Sequence, residues 1–175
     1  MTRGLRFWCL AAGLLVLWPA PAARAVEIPL RKAGLWEMRM VRSGSPLPDM
    51  TMQHCTDETT DKAMSAALSP VSKEACSSND IRQTATGYVT DSVCSVAGLS
   101  MTSHSLISGD FNSAYTVKTA MHGGKGTTSH DITMTVEAKW LGACKPGQKP
   151  GDIVMPGGFK LNIRDAERLK GLVPK

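Results

Sequence analysis

A short run of alternating residues in the first third of the chain carries side chains that can bind soft metal ions. Met50, Met52 and His54 stand at every second position of DMTMQHC. On a β-strand such residues point to one side of the sheet. Thioether and imidazole groups suit Cu(I), so the pattern is compatible with a copper site. We favour the alternative, a half-buried strand whose methionines fill gaps in a core.

A glycine-rich segment later in the chain is flanked by further candidate metal ligands. His122 and His130 lie at equal distances from Gly126 in MHGGKGTTSHD. A regular turn would set the two imidazoles opposite one another, where they could share a divalent ion with Asp131 or His104. The simpler interpretation is two exposed histidines beside a turn. GGKGTT lacks the spacing of a phosphate-binding loop.

The sequence contains no recognisable catalytic motif. Ser100 lies in GLSMT, which is not the Gly-x-Ser-x-Gly elbow of hydrolases. Ser69 and Ser72 precede Lys73 at the wrong spacing for a Ser-x-x-Lys motif. His-Glu-x-x-His is also absent from the sequence. We therefore expect a protein that is not an enzyme and needs no cofactor, and a hydrolase is the least favoured class.

The cysteines predict a disulfide framework. Cys9 belongs to an apolar run at the start of the chain, which leaves four cysteines in the body. An even number without Cys-x-x-Cys or zinc-ligand spacing is typical of disulfides in an oxidising compartment. A turn-forming Thr-Gly pair lies near the midpoint between Cys76 and Cys94, so a hairpin would bring these two together. Cys55 then pairs with Cys144.

Residues 1–25 have the features of a secretory signal peptide. Arg3 and Arg6 precede the apolar run, and small residues suit cleavage after Ala25. The run is too short to span a bilayer comfortably, so we expect no stable membrane insertion. Cleavage removes three of the 20 basic residues and none of the 15 acidic ones. We expect a periplasmic or secreted protein, and the small remaining charge gives little support to nucleic-acid binding.

Most of the remaining chain has the alternating pattern of β-strands. Gly34–Val41 and Ile132–Trp140 both alternate apolar and polar residues. Two hairpins are predicted to turn at Gly109–Asp110 and around Gly123–Gly126. We predict an α+β, β-dominated fold, with one curved antiparallel sheet of about seven strands and two disulfides.

Two segments have helical patterns. Thr56 can cap a short helix after the second strand, and Met64 and Leu68 lie on its apolar face. A short C-terminal helix capped by Asn162 is compatible with the last residues. We divide the chain into three parts: a leader, residues 1–25; a disulfide-linked sheet domain, 26–144; and a Pro/Gly-rich C-terminal extension, 145–175.

The order of these motifs resembles a known family. GLWEM soon after the leader, CTDE before a helix, a cysteine pair around a hairpin, a GD-plus-aromatic turn and a closing KWLGAC are similar to DUF3617, a bacterial exported family of unknown function. The resemblance covers about Leu30 to Cys144. It implies a small exported domain with disulfides, and it implies no activity, ligand or catalytic residue.

A bent sheet can bind a ligand on one face if the helix leaves that face open. The candidate residues for an apolar groove are Trp36, Met38, Met40, Ile132, Met134 and Val136. Such a groove would suit a small apolar ligand or a protein partner. The alternative is that these side chains simply form the core. We predict a binding or structural module, with copper binding at the methionine and histidine run as the alternative function.

Overall fold

The computed structural model describes residues 26–44, 48–64, 76–96, 98–125 and 128–165. Within these ranges the chain forms one antiparallel sheet with the spatial order β3-β4-β5-β6-β7-β1-β2-β8-β9. The strands are β1 Gly34–Ser43, β2 Met50–Thr56, β3 Cys76–Thr84, β4 Gly87–Val96, β5 Leu99–Asp110, β6 Ala114–Lys125, β7 Thr128–Gly142, β8 Asp152–Val154 and β9 Lys160–Asn162. The prediction of a strand-dominated antiparallel sheet is confirmed.

The sheet has nine strands where the sequence predicted about seven. The two additional strands, β8 and β9, come from the extension after Cys144. β8 pairs with β2 through Gln53 and His54, and β9 pairs with β8. Strands of three residues are too short to show an alternating pattern, so the Pro and Gly content dominated the sequence signal. The described part of the extension therefore belongs to the sheet.

Short hairpins produce the antiparallel order of β3 to β6. Thr84 and Gly87 close a two-residue turn between β3 and β4, where the sequence predicted one. The turn between β5 and β6 begins after Asp110, slightly later than predicted. The Asp110 carboxylate accepts the backbone N–H of Asn112 at 2.8 Å and the hydroxyl of Ser113 at 2.9 Å. These bonds hold the chain in the turn.

Both predicted disulfides are present. Cys55 at the end of β2 is bonded to Cys144 after β7, and Cys76 in β3 is bonded to Cys94 in β4. Cys55 is completely buried, whereas its partner Cys144 and both Cys76 and Cys94 are half-buried. The Cys55–Cys144 disulfide therefore links β2 to the segment after β7, and the Cys76–Cys94 disulfide links the two strands of the hairpin at the end of the sheet.

A short helix, α1, follows β2 as predicted and is described over residues 58–64. Its cap is Asp57 rather than the predicted Thr56, which ends β2. The backbone N–H of Thr60 donates to Asp57 Oδ1 at 2.7 Å, and the backbone N–H of Asp57 donates to Thr60 Oγ1 at 2.9 Å. Hydrogen bonds from the backbone and hydroxyl of Thr60 hold the pKa of Asp57 below its usual value. Aspartate is a preferred cap because its carboxylate meets the free N–H groups of the first turn.

Some predicted features lie outside the described residues. These are the leader, residues 1–25, and the end of the helix that follows β2. Of the predicted C-terminal helix, residues 163–165 are helical, and Asn162 Oδ1 accepts the backbone N–H of Arg164 at 3.0 Å. In the part of the chain that is described, no helix has the length and apolar character needed to cross a membrane.

The strand register gives the sheet two faces of different chemistry. Directly paired residues of antiparallel strands point to the same side, and residues alternate between sides along each strand. One side, which we call the methionine face, carries Met38, Met40, Met50, Met52, Met101, Met121 and Met134. The other side, the polar face, is rich in charged and hydroxyl residues and includes Glu37, Arg39, Asp91, His104, Thr116, Lys118, His122, Glu137 and Lys139.

Few apolar side chains are fully buried. Trp36 has no exposed surface, and its ring centroid lies 5.6 Å from that of Tyr115. Tyr115 in turn stacks on Phe111 at 4.8 Å. The other buried apolar residues are Leu35, Cys55, Ile107, Val136 and Ala138. The seven methionines of the methionine face are only half-buried, so that face is not fully covered by the described residues.

Candidate functional site

A cavity of about 230 Å³ lies against the methionine face. Its walls come from the segment before β1, from α1, from β1, β5 and β6, and from the turn between β5 and β6. The lining residues are Ile28, Pro29, Arg31, Met38, Asp61, Met64, Ile107, Phe111, Tyr115 and Val117. Apart from Arg31, Asp61 and the Tyr115 hydroxyl, the lining side chains are apolar, which is typical of ligand-binding cavities.

Arg31 and Asp61 form a buried ion pair in the cavity wall. Arg31 is 8% exposed and Asp61 is 4% exposed. Nε and Nη2 of Arg31 lie 2.7 and 2.6 Å from Asp61 Oδ1, and the backbone N–H of Arg31 donates to Oδ2 at 2.8 Å. Both carboxylate oxygens are therefore used. The two charges cancel locally, which is the condition under which charged groups are tolerated in an interior.

His54 lies beside this ion pair and is 1% exposed. Its Nδ1 is 3.1 Å from Arg31 Nη2. Because a guanidinium only donates hydrogen bonds, Nδ1 must accept, and the proton of the neutral ring then resides on Nε2. Burial, followed by the positive charge of Arg31, lowers the pKa of His54 to about 4 although Asp61 acts in the opposite direction. Nε2 is buried and has no hydrogen-bond partner within the described ranges.

Two thioethers and a phenol complete the surroundings of the ion pair. Arg31 Nη1 lies 3.6 Å from Met38 Sδ, and Nη2 lies 3.9 Å from Met64 Sδ. Sulfur is only a weak acceptor, so these contacts contribute packing more than hydrogen bonding. Burial raises the pKa of Tyr115, which keeps its hydroxyl neutral at neutral pH. The cavity therefore presents apolar atoms and no net charge.

The residues predicted to line an apolar groove fall into two groups. Met38 lines the cavity, and Met40 and Met134 are half-buried farther along the same face. Trp36 is completely buried, and its Nε1 donates to the backbone carbonyl of Lys32 at 2.8 Å. Trp36 is therefore a core residue rather than a groove residue.

The predicted copper ligands do share one face. Met50 and Met52 lie directly opposite Met40 and Met38 across β1 and β2. His54 follows on the same face, but its Nδ1 accepts a hydrogen bond from Arg31. A metal cation at Nδ1 would replace that bond and meet the guanidinium charge. The remaining soft donors of this region are the thioethers of four half-buried methionines, and one of these, Met38 Sδ, also lies beside the Arg31 guanidinium.

The predicted opposition of His122 and His130 is wrong. In the β6–β7 register His122 pairs with Asp131, and His130 pairs with a glycine. This shift of one residue turns the two imidazoles to opposite faces. His122 Nδ1 is 2.7 Å from Asp131 Oδ1, and His104 Nδ1 is 2.6 Å from Asp91 Oδ1.

The two histidine–aspartate pairs line a depression of about 550 Å³ on the polar face. All four side chains are partly or largely exposed. A hydrogen bond from His104 is the main cause that holds the pKa of Asp91 below its usual value. Within the described ranges, no three His, Cys, Asp or Glu side chains are arranged to hold a metal ion.

Arg31 and Asp61 were not singled out from the sequence. Asp61 lies one helical turn before Met64 and therefore on the apolar face of the predicted helix. A charged residue on an apolar face indicates a buried partner of opposite charge. The position of Asp61 in the sequence could therefore have indicated a buried ion pair. Arg31 lies in an irregular segment before β1, where no periodic pattern distinguishes a buried arginine from an exposed one.

The chain was compared with known proteins, and most of the candidate site, all of it except Ile28 and Pro29, lies inside a matched region. No curated protein and no solved structure matches the chain. The region that matches a family begins at Arg31 and ends at Cys144, so it contains the ion pair and His54 but not β8 or β9. Because the family model described as a protein of unknown function, DUF3617, matches residues 31–144, more than half of the chain, this protein belongs to the DUF3617 family.

Proposed function

We propose that this protein is an exported, non-enzymatic binding module that holds the end of an uncharged hydrocarbon chain. The observation that carries this proposal is the cavity against the methionine face. It joins apolar walls to a face of half-buried methionines that can receive the rest of the chain. Apolar concave sites with a few fixed polar groups are the usual form of small-molecule binding sites.

The size of the cavity limits what it can hold. Its volume of about 230 Å³ is below the roughly 300–1,000 Å³ of sites that enclose a drug-sized ligand. A whole amphiphile therefore does not fit inside. The end of a chain does fit, with the remaining methylene groups lying across Met40 and Met134.

The charges of the cavity select an uncharged group. Two nitrogens of the Arg31 guanidinium already contact the Asp61 carboxylate, which also neutralises its charge. Arg31 is therefore a poor binding partner for the carboxylate or phosphate of a ligand. His54 and Tyr115 are neutral at neutral pH, for the reasons given above. A charged headgroup would have to lose its hydration without gaining a partner, which is costly. Such a headgroup therefore belongs outside the cavity.

Methionine suits a surface that must adapt to a flexible chain. Its side chain is unbranched and polarisable, and it can repack around differently shaped apolar ligands. Surfaces rich in methionine are accordingly used by proteins that accept several partners. Seven methionines on one face therefore support binding of a ligand class rather than of one rigid molecule.

Export is part of the proposal and has two supports. Residues 1–25 have the sequence of a secretory signal peptide. The two disulfides are typical of an oxidising compartment. The test is the amino terminus of the protein recovered from the periplasm or medium, which should be Val26. A chain that remains in the cytoplasm with residues 1–25 attached would contradict export.

Ligand binding can be tested with a displacement assay. Dodecanol should displace an apolar naphthylamine dye from the purified protein in a saturable manner. Val117→Trp places an indole in the cavity and should weaken dodecanol binding by about tenfold or more. Lys118→Trp is the matched control, because Lys118 neighbours Val117 but is exposed on the polar face.

The outcomes are distinct. The proposal holds if the Val117→Trp protein loses affinity while the Lys118→Trp protein binds as the wild type does. Absence of dodecanol binding to the wild type, or equal losses in both variants, would contradict it. Native mass spectrometry of protein purified without detergent adds a direct search for a retained apolar ligand.

Soft-metal binding is the second candidate function. The cross-strand pairs Met38↔Met52 and Met40↔Met50 place four half-buried methionines side by side on one face. Titration with Cu(I) against a competing chelator measures the affinity. The Met50→Leu, Met52→Leu double variant should lose Cu(I), whereas His54→Gln should retain it. An affinity of the wild type no better than that of the double variant would end this candidate.

A further inference from the structure

The strand β3 forms one end of the sheet and has an open edge. β3 pairs with β4 on one side, and no described strand or described loop bonds to the backbone on its other side. It is nine residues long, and most of its side chains are exposed. A bulge interrupts its start between Cys76 and Ser78. The regular part after the bulge has no lysine or proline, the residues that most often protect such edges.

The hairpin geometry fixes which backbone groups face the open edge. Thr84 and Gly87 flank a two-residue turn, so they must be a hydrogen-bonded pair. Hydrogen-bonded and non-hydrogen-bonded pairs alternate along an antiparallel ladder. Arg82 and Asp80 therefore bond to β4. The N–H and C=O groups of Asn79, Ile81 and Gln83 point away from the sheet.

We propose that this edge binds the same edge of a second copy of the chain, so that two sheets join into one across a twofold axis at Ile81. Ile81 of each copy exchanges both backbone hydrogen bonds with Ile81 of the other. Asn79 of each copy does the same with Gln83 of the other. The contact is isologous, so it closes as a dimer and does not propagate into a fibre.

The charged residues of β3 select this register. With the axis at Ile81, Arg82 of each copy lies opposite Asp80 of the other, in non-hydrogen-bonded pairs where side chains approach closely. If the twofold axis moved from Ile81 to residue 80, Asp80 would lie opposite Asp80 of the second copy. If the axis moved to residue 82, Arg82 would lie opposite Arg82 of the second copy. Opposed like charges destabilise both neighbouring registers, and larger shifts lose the two Arg82–Asp80 contacts, so the register with the axis at Ile81 is favoured.

The side chains that make these contacts are available for them. Arg82 Nε lies 2.9 Å from Asp80 Oδ2 of its own chain, and both side chains are largely exposed. Arg82 also contacts Asp91, so one guanidinium serves two carboxylates. The Arg82 of a second copy would supply an additional cation to Asp80. On the opposite face, Ile81 would meet Ile81 of the second copy.

Charge exchange between two variants provides the test. Asp80→Arg makes every charged contact of the favoured register repulsive between identical chains, and so does Arg82→Asp. We expect the wild-type protein to show a monomer–dimer equilibrium by sedimentation at concentrations up to about 1 mM, and each single variant to have a dissociation constant at least about tenfold higher. An equimolar mixture of the two variants should form a heterodimer, because two arginines of one chain then face two aspartates of the other.

A cross-link tests the position of the axis. Cα atoms of a hydrogen-bonded pair lie about 5.5 Å apart, within the range of a disulfide. An Ile81→Cys variant should therefore link to a second copy under mild oxidation, whereas a Gln83→Cys variant should not link to itself. A wild type that stays monomeric, a dimer that persists in Asp80→Arg, a mixture that fails to pair, or equal linking of both cysteine variants would overturn the proposal.

Discussion

Asp61 binds Arg31 at two points, since its Oδ2 accepts the backbone N–H of Arg31 and its Oδ1 accepts the guanidinium. One carboxylate on α1 therefore fixes both the main chain and the side chain of the segment that enters β1. This segment and α1 form the outer wall of the cavity, and the sheet forms the inner wall. The ion pair thus joins the two parts of the outer wall to each other.

Removal of one charge from this pair should be strongly destabilising. Asp61→Asn leaves the guanidinium of Arg31 buried without its counter-ion, which typically costs about 3–5 kcal/mol. Glu137→Gln is the matched control, because the Arg39–Glu137 pair is exposed and such pairs contribute about 0–1 kcal/mol. Denaturant unfolding of the two variants measures the difference. Equal effects of both substitutions would show that the buried pair has no special role.

The buried charge pair is also expected to be replaceable as a unit. Arg31→Met combined with Asp61→Leu removes both charges and keeps apolar volume in the wall. Because no unpaired charge remains, the double variant should be more stable than Asp61→Asn, although its backbone N–H at position 31 loses an acceptor. A double variant less stable than the single one would mean that the backbone hydrogen bond, rather than the charge, dominates.

The neutral state of His54 predicts a pH dependence of stability. The pKa of His54 is about 4 in the folded protein and 6.5 when unperturbed. Between these values the unfolded chain binds a proton that the folded chain does not, so the free energy of unfolding should fall as pH drops from 6.5 to 4. The full loss corresponds to about 3 kcal/mol. Denaturant unfolding at several pH values in this window measures it.

His54→Gln is the control for this pH dependence, because glutamine does not titrate. Its free energy of unfolding should change less between pH 6.5 and 4. Some carboxyl groups have a pKa in the folded protein below the ordinary value of 3.8. Their protonation changes the free energy of unfolding mainly below pH 3.8, outside the window from pH 6.5 to 4. These groups are Asp57, Asp91, Asp110 and Asp152. An unchanged slope in the His54→Gln protein would contradict the assignment.

The sequence predicted those parts of the fold that depend on local patterns. Cys76 and Cys94 could be paired because a two-residue turn lies near their midpoint, and the remaining pair followed. The methionine face was visible as alternation in β1 and β2. The β6–β7 register was missed because several glycines leave the turn position ambiguous, and one residue decides which face His130 occupies.

The candidate site was predictable only in part because it depends on long-range contacts. Met38 was found since it belongs to a periodic strand. Arg31 comes from an irregular segment, and its burial depends on contacts with α1 and β2 that no local pattern records. Trp36 was assigned to the right face, but whether a side chain on that face is covered depends on which other segments pack over it.

The two disulfides should contribute differently to stability. In the loop-entropy description, the long Cys55–Cys144 loop stabilises the fold by roughly 4–5 kcal/mol and the short Cys76–Cys94 loop by about 3 kcal/mol. Replacement of each pair by alanine, followed by denaturant unfolding, tests this order. Cys144, Cys76 and Cys94 are all half-buried, but Cys55 is completely buried, so a reductant can approach only one sulfur of the first bridge and either sulfur of the second; a mild reductant should therefore open Cys76–Cys94 first. Preferential reduction of Cys55–Cys144 would contradict the described exposure.

Gly87 is required by the close approach of β4 to β5. It has a φ of +147°, and a Cβ atom there would lie 2.0 Å from the carbonyl oxygen of Ile107. Gly87→Ala should therefore cost more than the roughly 1 kcal/mol of an unfavourable φ alone. Gly98→Ala is the control, since Gly98 also has a positive φ but a Cβ there meets nothing within 4 Å. Similar unfolding free energies for the two variants would be inconsistent with this contact.

The extension after Cys144 should be needed to protect β2 even though the family match ends at that residue. Gly151 donates its backbone N–H to the carbonyl of Cys55 at 2.8 Å, and β8 pairs with Gln53 and His54. Asp152 is buried, and Asn162 Nδ2 donates to its Oδ1 at 2.8 Å, which holds β8 and β9 together.

Without the extension, the edge of β2 next to the buried His54 would be exposed to water. We therefore expect a chain of residues 26–144 to be less stable than one of residues 26–175 and to exchange the amide hydrogens of Gln53 and Cys55, which point toward the extension, much faster. Hydrogen-exchange mass spectrometry of both chains makes the comparison, with the amides of β5 as an internal control because β5 does not contact the extension. Equal protection of β2 in both chains would show that β8 and β9 are dispensable.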